Sequence, residues 1–358
     1  MYACLSKQLI HLDKSMNKIT QINFNGLDLL KFMMALVVVM IHVQPNEPSQ
    51  FLSFIFNPLI SVSVPLFFVI SGFLFFLKCY STEPLQNKPD NKKIKHFVKR
   101  SAILYIVWLI IDFFYVIYRK PYIQMAFVDA ISEFIKDIFL GSTFPGSWFI
   151  SALVVSVVLV FYMSKYISPN LIFIVSFIIS VYTLYPEIFP ARTIWVHKWY
   201  ETHIRPEMNL SFPFALVWIS MGQLMALWYN RITSKSNIYI SISLIMILLS
   251  YIIDIVFNNS LTPLFTRYLS TASIFTFFLL IRLEDRSIYK RLRNYSILIF
   301  LFHFSIAGKK SMFISYVGDT LAMHWLYYIL VVFVSLLFAQ IVLFLEKKKK
   351  LSFLKYLH

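Results

Sequence analysis

The chain has little charge, few glycines and almost no cysteine. Charged residues make up 14% of its 358 residues, against about 25% in soluble domains. Its two cysteines, Cys4 and Cys79, are far apart in the sequence, which excludes a disulfide framework and a cysteine-rich metal site. The eight histidines and 17 acidic residues are scattered without the spacing of metal ligands, so we expect no metal site.

Apolar residues dominate instead. They form 59% of the chain, and the mean hydropathy is +0.70, which excludes a soluble globular domain. Crossing a bilayer takes about 20 apolar residues, and windows of that length predict ten membrane spans. We therefore predict an all-α fold, a polytopic transmembrane helix bundle in a lipid bilayer. The ten predicted spans are 27–45, 54–77, 101–118, 148–164, 170–186, 210–229, 237–257, 263–281, 295–313 and 325–345.

The net charge is +16. Most of the basic residues lie in the loops between the predicted spans, as in a membrane protein, so we expect no nucleic-acid partner. Lys and Arg are more than twice as frequent in the loops on one side of these spans, and the positive-inside rule places that side in the cytoplasm. Both termini are then cytoplasmic. The predicted organisation is a cytoplasmic N-terminal segment 1–24, a membrane domain 25–345 and a basic cytoplasmic tail 346–358.

The first span carries titratable residues, which are costly inside a membrane and are therefore candidates for function. Lys31 and His42 are eleven residues apart, so they share a helix face and lie about 16 Å apart along the axis. Asp28 is one turn before Lys31, within ion-pairing distance. A neutral imidazole can act as a general base, although an interfacial histidine and a Lys31 side chain that snorkels to the headgroups remain alternatives.

Later spans add further candidates. Ser71 and Gly72 form a small surface on which helices can approach closely. Lys99 and Arg100 precede the third span. Trp148 opens the fourth span, where it is either an aromatic-belt anchor or a wall for a substrate.

The ninth span has two polar residues on one helix face. Ser296 and His303 are seven residues apart, which is about two turns. His303 lies near the middle of the span, and such a depth favours a functional role. Arg205, ahead of the sixth span, is a further candidate for substrate binding.

In their order and spacing, several short segments together resemble acyltransferase family 3, whose members are integral membrane proteins that move acyl groups to sugars of cell-surface polysaccharides. The resemblance covers roughly residues 22–345. Its early segments are also similar to the membrane domain of the vancomycin-resistance serine racemases. The matching segments are LDLLK…VVVMIH, FFVISGF, the KR before the third span, the WF of the fourth, FPF…G in the sixth and Ser-x6-His in the ninth.

The family's first span typically carries an arginine, ten residues and a histidine that is taken as catalytic. His42 fits that histidine, whereas Lys31 stands where arginine is usual and lacks the bidentate fork that suits phosphate. The resemblance further implies that Ser71, Gly72, Arg100, Trp148 and His303 line the site.

The resemblance implies acyl transfer, expected to be acetyl, from acyl-CoA to a hydroxyl of a surface glycan or its lipid-linked precursor. Acyl-CoA is then a co-substrate, no cofactor is bound, and the bacterial plasma membrane is the expected location. We expect the CoA headgroup near Lys99 and Arg100 and the acceptor hydroxyl at His42. His303 or Ser296 would stabilise the oxyanion, and both direct transfer and a covalent acyl-histidine remain open.

Two other functions fit the same polar residues. The first is a transporter of a small polar solute or glycan precursor, with the polar face as its path. The second is a partner subunit of a polysaccharide export complex with a degenerate site. Dependence on acyl-CoA separates acyl transfer from both.

Overall fold

The structure is a computed structural model that describes residues 23–80, 91–119, 121–184, 195–203, 208–257 and 262–358. Within these ranges the chain forms α-helices and three short 3₁₀ segments, with no strand, which confirms the predicted all-α helix bundle. The 3₁₀ segments are Pro121–Gln124, Met208–Leu210 and Lys349–Leu357. The helices are α1 (Asn25–Val43), α2 (Gln50–Tyr80), α3 (Asn91–Ile111), α4 (Phe113–Arg119), α5 (Phe127–Phe139), α6 (Ser147–Met163), α7 (Pro169–Thr183), α8 (Trp195–His203), α9 (Phe212–Leu227), α10 (Tyr229–Ser234), α11 (Ser236–Phe257), α12 (Thr262–Leu280), α13 (Ser287–Phe302), α14 (Phe304–Ala307), α15 (Lys310–Val317) and α16 (Leu321–Glu346).

Each predicted span overlaps at least one of these helices. Four described helices are long and apolar enough to cross a membrane: α1, α2, α16 and the part of α11 from Ser236 to Asp254. The bent succession from α13 to α15 adds a fifth span if it is counted as one. Shorter apolar helices are α6, α7, α9 and most of α12. The count of ten spans and the cytoplasmic termini therefore stay predictions.

Helix α9 is the centre of the bundle, and it packs against α2, α6 and α7. Its side chains are buried on every face, including those of Phe214 and Trp218. A helix that is apolar all round needs neighbours on all sides. The predicted small surface on α2 meets it directly, because a Cβ atom on Gly72 would lie only 2.7 Å from the Ile219 carbonyl oxygen.

Gly222 of α9 completes this contact, and replacing it gives a test of the helix packing. In Gly222→Ala the new Cβ would come 2.4 Å from the Val69 oxygen and 2.6 Å from the Phe73 nitrogen. Since both atoms are backbone, the helices must separate, and we expect a loss of about 1–3 kcal/mol in stability. The readout is the melting temperature of the purified protein in detergent.

Gly308→Ala is the matched control, because its Cβ would meet no atom closer than 3.9 Å, the Phe304 oxygen. We expect this variant to melt close to the wild type. Equal melting temperatures for Gly222→Ala and Gly308→Ala would contradict the close helix contact.

The end of the chain folds back onto the bundle. The 3₁₀ segment Lys349–Leu357 packs against α16 and α3, and the Trp108 indole donates a hydrogen bond of 3.2 Å to the Leu357 carbonyl oxygen. His358 Nε2 lies 2.9 Å from the Glu346 carboxylate. The residues predicted as a basic tail are thus held against the bundle through Leu357 and His358.

Candidate active site

Helices α1 and α13 pack side by side and run parallel. Near their beginnings, the Asp28 carboxylate lies 3.6 Å from the Arg293 guanidinium. Near their ends, the rings of His42 and His303 are 5.2 Å apart, centroid to centroid. The ten-span prediction requires this direction, because its first and ninth spans cross the membrane the same way. We call the two ends the basic end and the histidine end.

At the histidine end, three rings contact one another. The ring centroid of Phe304 lies 4.3 Å from that of His42 and 4.1 Å from that of His303. The His42 side chain is exposed, whereas His303 has no accessible surface. His42 can therefore contact a substrate directly, while His303 can act only through His42 or after a local movement.

The hydrogen bond of His303 determines which of its nitrogens is free. Its Nδ1 lies 2.9 Å from the Ile299 carbonyl oxygen. A carbonyl oxygen can only accept a hydrogen bond, so the neutral ring carries its proton on Nδ1 and its lone pair on Nε2. Nε2 is buried, and no described residue forms a hydrogen bond with it. The neutral form of His303 thus offers an acceptor, and the oxyanion-donor role predicted for it needs the protonated form.

His303 and Phe304 lie just before a bend in the chain. Helix α13 ends at Phe302, and the chain bends by 55° between the segments Ser287–Ala307 and Lys310–Val317. On the other side of Phe304 lies Gly146, whose φ of +82° favours glycine. A Cβ atom there would come 2.7 Å from the Phe304 ring. The sequence GSTFPG before α6 therefore leaves space for the ring that contacts both histidines.

The basic end gathers cations around a single carboxylate. The Asp28 carboxylate lies 3.9 Å from the Lys31 ammonium as well as beside Arg293. The side chains of Asp28 and Lys31 are largely buried, and Arg100 of α3 is close enough to Lys31 to repel its charge. This arrangement suits an anionic group. No group of three or more His, Cys, Asp or Glu side chains gathers for a metal ion in the described ranges.

An ion pair links the turn after His42 to the helix after the bend. The Lys310 ammonium contacts the Glu47 carboxylate at 2.6 Å and the Gln44 carbonyl oxygen at 3.4 Å. Gln44 ends α1 in a left-handed conformation, with φ of 49°, and Pro45 prevents the helix from continuing. The hydrogen bond from Lys310 lowers the pKa of the Glu47 carboxyl below its ordinary value.

Replacing Glu47 tests this link through its pH dependence. We expect wild type to melt slightly above Glu47→Gln at neutral pH, by no more than the roughly 1 kcal/mol of an exposed ion pair. The pKa is lowered in the folded state, so this difference is complete above the ordinary pKa, about pH 4.3. It should disappear as the pH falls through the lowered pKa. Melting curves across this range provide the measurement.

The charge-exchanged double variant Glu47→Lys with Lys310→Glu is the control, and it should recover stability that each single exchange loses. A difference between wild type and Glu47→Gln that persists in strong acid would exclude the ion pair as its origin.

The structure places other predicted residues away from the two histidines. The Ser296 hydroxyl donates to the Arg293 carbonyl oxygen of its own helix at 2.7 Å and is fully buried, about two turns from His303. Ser71 likewise donates to its own helix, to the Phe67 oxygen at 2.7 Å. Gly72 contacts α9. Substrate contact by Ser71, Gly72 and Ser296 stays a prediction.

Three predicted residues remain to be placed. Lys99 is exposed, about two turns into α3 and directly before Arg100. Trp148 is half-buried, with its ring 6.3 Å from that of Phe68, which is compatible with either of its predicted roles. Arg205 lies outside the described residues.

Four residues of the site were missed by sequence reasoning: Arg293, Phe304, Gly146 and Lys310. Arg293 was counted only as a topology determinant, although it precedes Ser296 by one turn. Phe304 directly follows His303, and Gly146 belongs to the segment before Trp148. Nothing in the sequence singles out Lys310, because its partner Glu47 is in a distant loop.

The comparisons with known proteins cover most of this bundle. The family model described as an acyltransferase domain matches residues 24–344. An amino-acid racemase of Enterococcus faecalis is 26% identical over 167 residues, which are 46% of this chain and 22% of the racemase. The matched region is thus about a fifth of that relative. No solved structure matches the chain significantly. Over residues 24–344, the chain belongs to acyltransferase family 3, a family of membrane acyltransferases.

Proposed function

We propose that this protein transfers an acyl group, acetyl in the simplest case, from acyl-CoA to a hydroxyl of a surface glycan or its lipid-linked precursor. The supporting observation is the α1–α13 pair, which carries a basic site at one end and two adjacent histidines at the other. A basic site can bind an anionic donor, and a histidine can accept the proton of a reacting hydroxyl. The proposed location is the cell membrane.

The basic end would hold the phosphates of the donor. Asp28 offsets part of the charge of Lys31 and Arg293, and Arg100 adds another cation nearby. The net positive charge favours a phosphate group, and the arginine guanidinium can bind it through two parallel hydrogen bonds. Lys31 and His42 are about 16 Å apart along α1, which is comparable with the reach of a pantetheine arm.

The histidine end would carry the chemistry. His42 removes the proton of the acceptor hydroxyl while the hydroxyl oxygen attacks the thioester carbonyl carbon. The tetrahedral oxyanion then collapses, the carbon–sulfur bond breaks, and the protonated His42 returns its proton to the leaving thiolate. The products are the acylated sugar and free CoA, so atoms and charges balance.

His303 would orient His42. Its Nε2 lone pair can accept a hydrogen bond from a ring N–H of His42 after a small movement of the exposed ring. That bond would leave the other nitrogen of His42 as the lone pair that faces the hydroxyl. The arrangement resembles the orienting partner of a catalytic histidine in other acyl-transfer enzymes.

The direct test is transfer of radiolabel from acetyl-CoA by the purified protein in liposomes, with a crude cell-wall glycan fraction as acceptor. We expect label in the glycan. If a folded protein transfers no label from any common acyl-CoA, acyl transfer from CoA is excluded. Sodium- or proton-driven uptake of an amino acid would then support the transporter function, for which the similarity to an amino-acid racemase is the reason to assay that solute.

Lys31 provides a test of donor binding. We expect Lys31→Arg to keep or lower the KM for acyl-CoA, because it restores the residue usual in the family and adds a bidentate fork. Lys31→Gln removes the charge and should raise that KM about tenfold or more. A large loss in Lys31→Arg would instead indicate that Lys31 serves mainly as the ion-pair partner of Asp28.

A further inference from the structure

A second basic surface lies on the outside of the bundle, in a groove of about 310 Å³ between α13 and α16. Its charged wall includes Lys290, Arg291 and Lys347, and its apolar wall includes Leu343 and Phe344. Arg293, in contrast, turns from α13 toward Asp28 of α1. The groove is therefore separate from the basic end of the candidate active site.

The charge of this groove is not neutralised by the protein. Within the described ranges, Lys290, Arg291 and Lys347 form no ion pair, and all three side chains are exposed. The one carboxylate in the lining, that of Glu346, already contacts His358 Nε2 at 2.9 Å. The groove thus carries an excess of positive charge that suits an anion.

The apolar wall also restricts which kind of ligand suits the groove. Phe344 is 59% exposed and Leu343 half-buried beside it, on a helix long and apolar enough to span a membrane. A free phosphate would use the cations and leave this wall uncovered. A molecule with both a phosphate and an acyl chain would use both walls.

We propose that this groove binds the headgroup of an anionic phospholipid. The phosphodiester lies between Lys290, Arg291 and Lys347, and an acyl chain runs along Leu343 and Phe344. Basic pockets between membrane helices are suited to such headgroups on the cytoplasmic side, where the predicted topology places the beginning of α13. The site does not depend on acyl transfer.

The test is lipid retention by the full chain. Wild type is reconstituted with equal parts of phosphatidylglycerol and phosphatidylcholine and then extracted in mild detergent, and the lipid that stays bound is counted by native mass spectrometry. We expect wild type to retain phosphatidylglycerol preferentially. The variant Lys290→Gln with Arg291→Gln should retain about tenfold less, because each lost cation weakens attraction to an anionic lipid.

The matched control is Lys349→Gln with Lys350→Gln, which removes the same charge at exposed positions outside the groove lining. It should retain lipid as wild type does, and Lys347→Gln alone should show an intermediate loss. Melting temperatures verify that each variant is folded.

Three results would overturn the proposal. If the groove variant and the tail variant lose equal amounts of phosphatidylglycerol, retention depends only on the net charge of the protein. Phosphatidylcholine has the same phosphodiester, but its choline cation offsets the charge. Retention of this lipid as strong as that of phosphatidylglycerol would show that the groove does not select a headgroup of net negative charge. Displacement of phosphatidylglycerol from wild type by inorganic phosphate at equal concentration would assign the groove to a soluble anion. If the double groove variant fails to fold, Lys347→Gln takes its place in the comparison with the tail variant.

Discussion

Replacing His42 by alanine is expected to lower acyl transfer by about 10²- to 10⁴-fold, the usual contribution of a general base. The exposed imidazole lies at the histidine end of α1, where the structure brings it beside His303 and Phe304. His303 is the other base in the group, but its ring has no accessible surface, so it does not replace the lost base directly. The measurement is label transfer from acetyl-CoA, with membrane insertion and melting temperature followed in parallel.

His42→Asn removes the base with less change in shape, and we expect the same loss. His96→Ala is the control, because His96 is exposed on α3 and takes no part in the described ring contacts of His42, His303 and Phe304. It should leave transfer unchanged. Activity of His42→Ala within a few-fold of wild type, in a folded protein, would remove His42 from the catalytic role.

Replacing His303 is expected to lower kcat about 10²-fold while KM changes little, because a fully buried ring orients the base and does not contact the substrate. His303→Gln can place an amide oxygen near the former Nε2 and so keep an acceptor for His42. His303→Asn is too short to do so. We therefore expect the glutamine variant to be clearly more active than the asparagine variant in single-turnover assays.

The pH profile separates the orienting role from the oxyanion-donor role predicted from the sequence. A donor must be protonated, so that role would give wild type an alkaline limb in the kcat profile that His303→Gln lacks. An orienting partner that stays neutral gives no such limb. Equal activity of the asparagine and glutamine variants would contradict acceptance of a hydrogen bond at Nε2.

Much of the bundle could be predicted from the sequence, because hydropathy and helical periodicity are local properties. The ten apolar windows all overlap helices, and the face shared by Lys31 and His42 follows from a straight α1. The ion pair of Asp28 with Lys31 follows from their spacing of three residues. These statements need only the geometry of a single helix.

The active-site geometry could be predicted only in part. The spacing of Ser296 and His303 suggests that they act together. Ser296 instead bonds within its own helix, to the Arg293 oxygen, while His303 meets a residue of α1. Which neighbour each buried side chain meets depends on how the helices pack, and no local pattern specifies that.

The sequence by itself determined that the chain is a helical membrane protein and which residues are costly to bury, because transfer of side chains from water to hydrocarbon depends mainly on their type. Only the tertiary structure decided which of these residues meet. It placed Arg293 beside Asp28 and His303 beside His42, and it left His303 Nε2 without a hydrogen-bond partner among the residues described. Such contacts arise between helices that are far apart in the sequence. The helix preferences of each segment allow many arrangements of the bundle, and packing and hydrogen bonding between helices select one of them.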